Sequence, residues 1–354
     1  MRTKSTIIIL ILVAASCGGT APEPPPADPA TTTGPTATVP DATTTSSTAA
    51  PGTTAGAGLP IPLNIPRLES GLPATFVGVT EGWEAVEVDT ASGDIVRSIG
   101  QMERPGEADD EGGVFAAIDQ VWRTSDHLWY IVSECCEPAA GMIHFLDATT
   151  RLTSANHDET IITDGWTIAP SPFDGRLVKL GYSVEVAPVG VESEVLIWLD
   201  QPGGPGFADG AAAWDRTGTA ISWLSHDFET GAATLLHLDV TAGDDDPTMV
   251  ELAWVGSDQW LDGMGTQESG NHVAFLNTRD DTDPEAATVV VTEGVVFSAQ
   301  GELIATFPVE TGSRWGSYDP SGRMLIYTDA DFTVRWQGLG QSGVLAEGFV
   351  HVSW

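Results

Sequence analysis

Asp319-Pro320-Ser321-Gly322-Arg323, followed at once by Met324-Leu325-Ile326-Tyr327, is the stretch on which the reading of the fold turns. An Asp side chain caps a tight turn by accepting from nearby backbone N–H groups, and Gly accepts a positive φ there. An apolar, β-prone run after such a turn reads as a strand. The theme recurs along the chain. Asp215-Arg216-Thr217-Gly218 precedes Ala220-Ile221-Ser222-Trp223, and Asp174-Gly175-Arg176 precedes Leu177-Val178-Lys179-Leu180. Gln267-Glu268-Ser269-Gly270, which lacks the Asp, precedes Val273-Ala274-Phe275-Leu276. Ser125-Asp126-His127, which lacks the Gly, precedes Leu128-Trp129-Tyr130-Ile131. Successive turns are 43 to 52 residues apart. A period of this size, with strands in every unit, predicts an all-β fold, a β-propeller.

Six blades is the expected count, with seven the alternative if the Asp239–Gly265 region holds an extra one. Third strands follow each turn, at Met142–Leu146, Glu194–Leu199, Ala233–Val240, Thr288–Val291 and Val334–Trp336. The stretches Ala74–Val79, Trp83–Asp89 and Asp94–Ile99 read as a unit missing its first strand, and Gly348–Trp354 reads as a spare strand. The C-terminal strand is therefore expected to join the first blade and close the ring, which removes open sheet edges. Many of the 12 Trp residues, such as Trp166, Trp260 and Trp315, fall at unit boundaries and are expected to pack between blades. A stacked aromatic platform for sugars is the alternative use for them.

The turn signature, Ser-Pro-Asp-Gly in type before an apolar strand, resembles the TolB-type, WD40-like propeller repeat over roughly residues 70 to 354. That resemblance implies a propeller. TolB carries an N-terminal α/β domain where this chain has a low-complexity stretch, so its partners do not transfer.

The chain is strongly acidic, with 14 basic and 50 acidic residues among 354 and a formal charge of −36. Removing Arg2, Lys4, Glu23, Asp28 and Asp41 leaves 12 basic and 47 acidic residues, so residues 63–354, read as the propeller domain, are themselves acidic. Like charge disfavours nucleic acid and anionic lipid surfaces as partners. Solubility in a salty medium explains such a charge, and a surface for cations or cationic partners is the alternative.

Arg2 and Lys4 precede an apolar run, Ile7–Ala15, too short to span a bilayer. Ala14-Ala15-Ser16-Cys17 follows. This resembles a bacterial lipoprotein signal (residues 1–16), which implies cleavage before Cys17 and lipidation of its thiol. An ordinary signal peptide with a chance Cys is the alternative. Residues 17–62, rich in Thr, Pro and Ala, read as a disordered tether of about 35–40 Å as a coil. The expected address is the cell membrane, lipid-anchored at the extracytoplasmic face.

Cys135 and Cys136 are adjacent. A vicinal disulfide as a strained ring, two free thiols, and a metal pair with His144 as the nearby third ligand all stay open. Asp244-Asp245-Asp246, Asp280-Asp281-Asp283 and Asp329-Asp331 offer oxygen ligands for Ca²⁺, without the twelve-residue loop spacing. Solvated acidic turns explain them equally. Gly338-Leu339-Gly340-Gln341-Ser342-Gly343 spells a dinucleotide fingerprint, but no helix pattern and no acidic residue at the required distance follow it. Gly203-Gly204-Pro205-Gly206 lacks the elbow and flanking His of a peptidase and reads as a surface loop.

No catalytic constellation stands out, and no cofactor is expected beyond Ca²⁺ in the acidic loops. The expected function is a membrane-anchored binding or scaffold module for a protein or envelope ligand, more a binder than an enzyme, with a monomeric domain. The partner is a protein or a carbohydrate of unknown identity. The alternative is a propeller hydrolase or lyase acting on polysaccharide with carboxylates from several blades. Propeller ligands commonly dock where loops converge on the axis, and the long loops Gly100–Gly113, Pro202–Gly210 and Thr278–Ala287 draw attention there.

Overall fold

The structure, a computed structural model, describes residues 67–101, 116–124, 127–134, 141–147, 149–153, 156, 161–165, 167–173, 176–180, 184–187, 194–197, 211–226, 232–241, 247–279 and 289–354. Among them there is no helix, and the strands form six four-stranded antiparallel sheets. The first sheet joins β1 (Thr75–Thr80), β2 (Glu84–Asp89) and β3 (Ile95–Gln101) to the distant β24 (Phe349–Ser353). The second contains β4 (Ala116–Thr124), β5 (His127–Glu134), β6 (Gly141–Asp147) and β7 (Ile161–Gly165). The third contains β8 (Thr167–Pro170), β9 (Leu177–Leu180), β10 (Val184–Ala187) and β11 (Glu194–Ile197). The fourth contains β12 (Ala212–Trp214), β13 (Ala220–His226), β14 (Ala233–Asp239) and β15 (Thr248–Glu251). The fifth contains β16 (Gln259–Thr266), β17 (His272–Arg279), β18 (Val289–Phe297) and β19 (Leu303–Pro308). The sixth contains β20 (Arg314–Tyr318), β21 (Met324–Thr328), β22 (Thr333–Gly338) and β23 (Gln341–Glu347).

The strands β4, β8, β12, β16, β20 and β24 touch one another in a closed cycle, so they line the axis of a β-propeller. Their sheets radiate outward, and apolar clusters fill the seams between successive sheets. Val77, Val79 and Ile99 of the first sheet meet Ile118, Val121 and Leu146 of the second. Phe297 and Leu276 of the fifth meet Leu224 and Leu235 of the fourth. Phe76 and Val352 of the first meet Met324 and Ile326 of the sixth, which carries the packing back to its start. The second strand of each unit is flanked on both faces. In β13 every residue is buried, as a run without polar alternation requires.

The strand read from the sequence as closing the ring does so. Val77 pairs with Ser353, Gly78 with Val352 and Val79 with His351. The Asp239–Gly265 region holds no extra sheet among the described residues. It carries the outermost strand β15 and then the axial strand β16.

The repeat turns share one hydrogen-bond scheme. The amide of Asp215 donates to the Ala220 carbonyl at 2.9 Å, that of Asp319 to Met324 at 2.8 Å, and that of Ser171 to Arg176 at 2.8 Å. Asp215 Oδ1 accepts from the amides of Thr219 and Ala220, and Asp319 Oδ1 from those of Arg323 and Met324. Gly218, Gly270 and Gly322 have φ of 68°, 84° and 70°, the left-handed conformation for which glycine was read there. In the unit without the Asp, the turn is one residue shorter, and Gln267 donates to Asn271 at 2.9 Å. Asp174 and Gly175 lie outside the described residues.

The dinucleotide-like string is a hairpin. Gly338 pairs with Gln341, and the two residues between them, Leu339 and Gly340, have φ of 51° and 74°. That is a type I′ turn, the form that matches strand twist and favours Asn-Gly. Leu339 is an exposed apolar residue held in a conformation that costs a non-glycine about 1 kcal/mol. Replacing Leu339 with Asn is expected to raise stability by about 0.5–1 kcal/mol, read as an increase in the melting temperature.

Candidate functional site

The axial strands all run in the same sense, so the axis has two unlike ends. At the end where these strands finish, beside the repeat turns, lies a cavity of about 100 Å³ that opens to solvent. At the end where they start lies a second, of about 90 Å³ and with fewer lining residues. Trp122, Ala212, Met264 and Trp315 line both and form the waist between them.

Backbone irregularities shape this channel. The register shifts between Ile118 and Gln120 in β4, between Asp262 and Gly265 in β16, between Trp315 and Ser317 in β20, and in β24 opposite Val79 and Thr80. Bulges re-aim side chains beside sites. Gly263, at φ 63°, leaves room for Trp315, because a Cβ there would sit 1.9 Å from the indole Cγ. Trp315 thus packs between blades, as read from the sequence, and lines the axis as well. Trp260 lies under the Arg279 guanidinium, 5.6 Å from the ring centre, and Trp166 is outside the described residues.

The wider, turn-side mouth gathers the rare positive charge. Arg123 and Arg216 line it. Arg67 pairs with the buried Asp319 of its wall. Arg176 stacks on Trp214 at 4.6 Å and donates to the Gly218 carbonyl. Arg323 pairs with Glu268 in the adjoining turns. Two of the domain's 12 basic residues thus line the opening, and Arg67, Arg176 and Arg323 are held by residues of its wall or of the adjoining turns. Arg123 is held by Glu87 at 2.7 Å and the Thr75 hydroxyl at 2.9 Å, and Glu87 also pairs with Arg97 at 3.0 Å. Arg216 leaves the β12–β13 turn, passes the intervening sheet, and donates to the Pro320 carbonyl in the β20–β21 turn at 2.6 Å. It lies over the Phe173 ring at 5.5 Å. Burial lowers its pKa, and Asp319, Glu268 and Asp215 nearby oppose that.

Asp319 is the wall's acidic member, with no exposed side-chain surface. Burial pushes its carboxyl up. Hydrogen bonds from Ser321, Arg67 and the Met324 and Arg323 amides outweigh that and hold it below the usual carboxylate range. Its oxygens are thus occupied by the turn. Tyr318 beside it accepts from Gln267 Nε2 at 3.3 Å, and burial pushes its phenol up to about 12. Ser317 and Ser353 hydroxyls meet at 3.1 Å across the sixth and first sheets.

The narrower end carries Gln120, Asp262 and His351. His351 Nδ1 accepts from the Val121 amide at 3.4 Å, and its ring meets Trp122 edge-on at 5.1 Å. Burial pushes its pKa down to about 3, so the imidazole is neutral. Burial, then His237, lowers His272 to about 4. Burial also raises Asp119, the bulged residue of β4, to about 6.

These shifts set a pH dependence. The two histidines hold folded pKa values below their ordinary one, so the unfolded chain takes their protons first. Stability is then lost as pH falls from about 6.5 toward 3–4. Asp119 has the opposite sign: its contribution is complete below about 4 and is lost as pH rises through about 6. Two groups against one predict a melting temperature that falls on acidification from pH 7 to 4. The expected effect of His351→Gln is a visibly flatter dependence, measured by thermal melts across that range.

The weak Ca²⁺ candidates sit in the β21–β22 loop. Asp329 is buried and accepts from the amides of Asp331 and Thr333 at 3.0 and 2.9 Å and from Arg335 Nε at 2.6 Å. Arg335 also pairs with Glu310 at 2.8 Å. The Asp329 carboxylate thus serves the loop and an ion pair. Among the described residues no group of three or more His, Cys, Asp or Glu is placed to hold a metal. His144 is buried on β6. Cys17, Cys135, Cys136, the other two acidic loops, and most of the three long loops lie outside the described residues. The strand ends that flank those long loops belong to the narrower end, opposite the arginines.

No protein-family model matches the chain, and no curated protein aligns with it significantly. Solved structures similar to it are propeller-bearing proteins. A putative TolB from Agrobacterium tumefaciens is 10% identical with a TM-score of 0.46, covering 78% of this chain and 91% of that one. TolB from Acinetobacter baumannii is 12% identical with a TM-score of 0.48, covering 79% of this chain and 65% of that one. The β-propeller domain of Cps50 (Swd1) from Myceliophteria thermophila is 11% identical with a TM-score of 0.43, covering 81% and 86%.

Proposed function

We propose that this chain is a membrane-anchored, extracytoplasmic six-bladed propeller that binds a protein or envelope ligand at the turn-side mouth of its axis. One observation carries the reading. A domain with 47 acidic residues lines a single opening with Arg123 and Arg216 and with Trp122, Trp214, Trp315 and Trp354. A rigid ring that presents aromatic surface and fixed charge in a concave site suits recognition. Asp319, the carboxylate of that wall, is occupied by its own turn, which speaks against acid–base chemistry there.

The anchor is Cys17, and Cys17→Ala is expected to move the protein from the membrane fraction to the soluble one. The site is tested with a photo-crosslinking side chain at Pro172, on the mouth, and at Val344, on the exposed outer strand β23. In membranes of the producing cell, discrete adducts are expected from position 172 and not from 344. Equal adducts from both, or none from 172, would refute the assignment.

A further inference from the structure

At the turn-side mouth stands a guanidinium, that of Arg216, whose donors are mostly unspent among the described residues. Arginine presents five N–H donors in a rigid fork. Among the described residues Arg216 uses one, toward the Pro320 carbonyl, and makes no ion pair. Its position is nonetheless tightly set. It is anchored on one sheet, bonded to a turn two sheets away, and stacked on Phe173 at 5.5 Å. That places it across the mouth of the channel. Of the other four arginines, Arg67, Arg123 and Arg323 already hold carboxylates, and Arg176 is stacked on Trp214 and bonded to the Gly218 carbonyl.

A second observation points the same way. The walls beside Arg216 are aromatic, with Trp122, Trp315 and Tyr318. A pre-placed fork matches a carboxylate two oxygens at a time, and a ring-lined cavity accepts an apolar or aromatic body.

We propose that the turn-side cavity is a receptor for a carboxylate borne on an aromatic or apolar body, with Arg216 as its recognition residue. This rests on the reading that ligand enters at this mouth, and it names the chemistry of that ligand. The carboxylate takes the free edge of Arg216, and the apolar body enters between the indoles. Of the carboxylates near Arg216, Asp319 and Glu268 are already paired with Arg67 and Arg323. The carboxylate has two sources with the same chemistry, a free small acid or the C-terminal residue of a chain.

The test uses purified residues 17–354, read through tryptophan emission and titration calorimetry. The probes are phenylacetate, its neutral analogue phenylacetamide, and the peptide Ala-Ala-Ala-Phe with a free or an amidated C-terminus. Saturable binding is expected for an acid and not for its amide. Saturation by phenylacetate marks a small-acid site, and saturation by the peptide alone marks a chain terminus. Arg216→Gln should weaken the binding about tenfold or more, as loss of a charge-assisted bidentate contact does. Arg216→Lys should fall between the two. Arg314→Gln, which removes an equal charge from a guanidinium stacked on Phe332, should match wild type. Should Arg216→Gln not fold, the acid–amide comparison on wild type and the Lys variant decide. Equal response to acid and amide, no saturation by either acid, or wild-type affinity in the folded Arg216 variants would overturn the proposal. None of those failures touches the crosslinking result at position 172, so the two readings fail separately.

Discussion

Asp319→Ala is expected to destabilise the domain by about 2–4 kcal/mol, as loss of a buried acceptor shared by several donors does. Three losses coincide. The amides of Ser321, Arg323 and Met324 lose their acceptor, and these are the groups that hold the turn closed. Arg67 loses its carboxylate, which ties the segment before β1 to the sixth sheet. The site is buried, so water cannot replace the carboxylate freely. Asp319→Asn keeps one acceptor and should fall well short of the alanine loss. Asp215→Ala gives the internal comparison. It caps the same amides but is partly exposed and holds no arginine in an ion pair, so a loss of about 1–2 kcal/mol is expected. Chemical denaturation of the three variants checks the order. Equal losses for Asp215→Ala and Asp319→Ala would show that the Arg67 pair and the burial of Asp319 contribute nothing beyond the turn.

Gly316→Ala is expected to cost about 3 kcal/mol or more, at the upper end of the overpacking range. A Cβ there would stand 2.3 Å from the Ile326 carbonyl oxygen and 2.8 Å from that of Val352. Both are backbone atoms of β21 and β24, so no side chain can turn aside. Gly316 is the bulged residue of β20, at the seam between the sixth sheet and the closing strand. Relief therefore requires the seam itself to part. Gly270→Ala, where nothing lies within 4 Å, isolates the cost of φ alone and should be milder. The unfolding midpoint and its denaturant slope report both variants. A lower slope in Gly316→Ala would indicate a ring already opened in its native state.

The fold was legible because its turns are local chemistry. Asp215 and Asp319 cap amides four and five residues on, and Gly218 and Gly322 accept left-handed backbone, so a short window carries the signal. The closing strand was legible by elimination, since Gly348–Trp354 had no unit of its own. The axial strands were harder. Their bulges at Asp119, Gly263 and Gly316 break the alternation by which a strand is recognised. The arginine mouth was missed for another reason: a net charge summed over a domain hides where its few basic residues gather. Arg176, Arg216 and Arg323 each stand in or beside a repeat turn, so a register of the few basic residues against the repeat would have found it. The Trp354 contribution needed the closed ring, because it reaches the cavity only once β24 is seated against β1.

That seating carries a temporal consequence. Gly78 and Val352 are partners, although nearly the whole domain separates them along the chain. A ribosome delivers the first long before the second. Until Phe349 to Ser353 emerge, the β1 margin presents bare amides and carbonyls to whatever strand is nearest, and neighbouring nascent chains are candidates. Assembly of the disc is therefore gated by its last few residues, and quick local hairpins cannot shorten that wait.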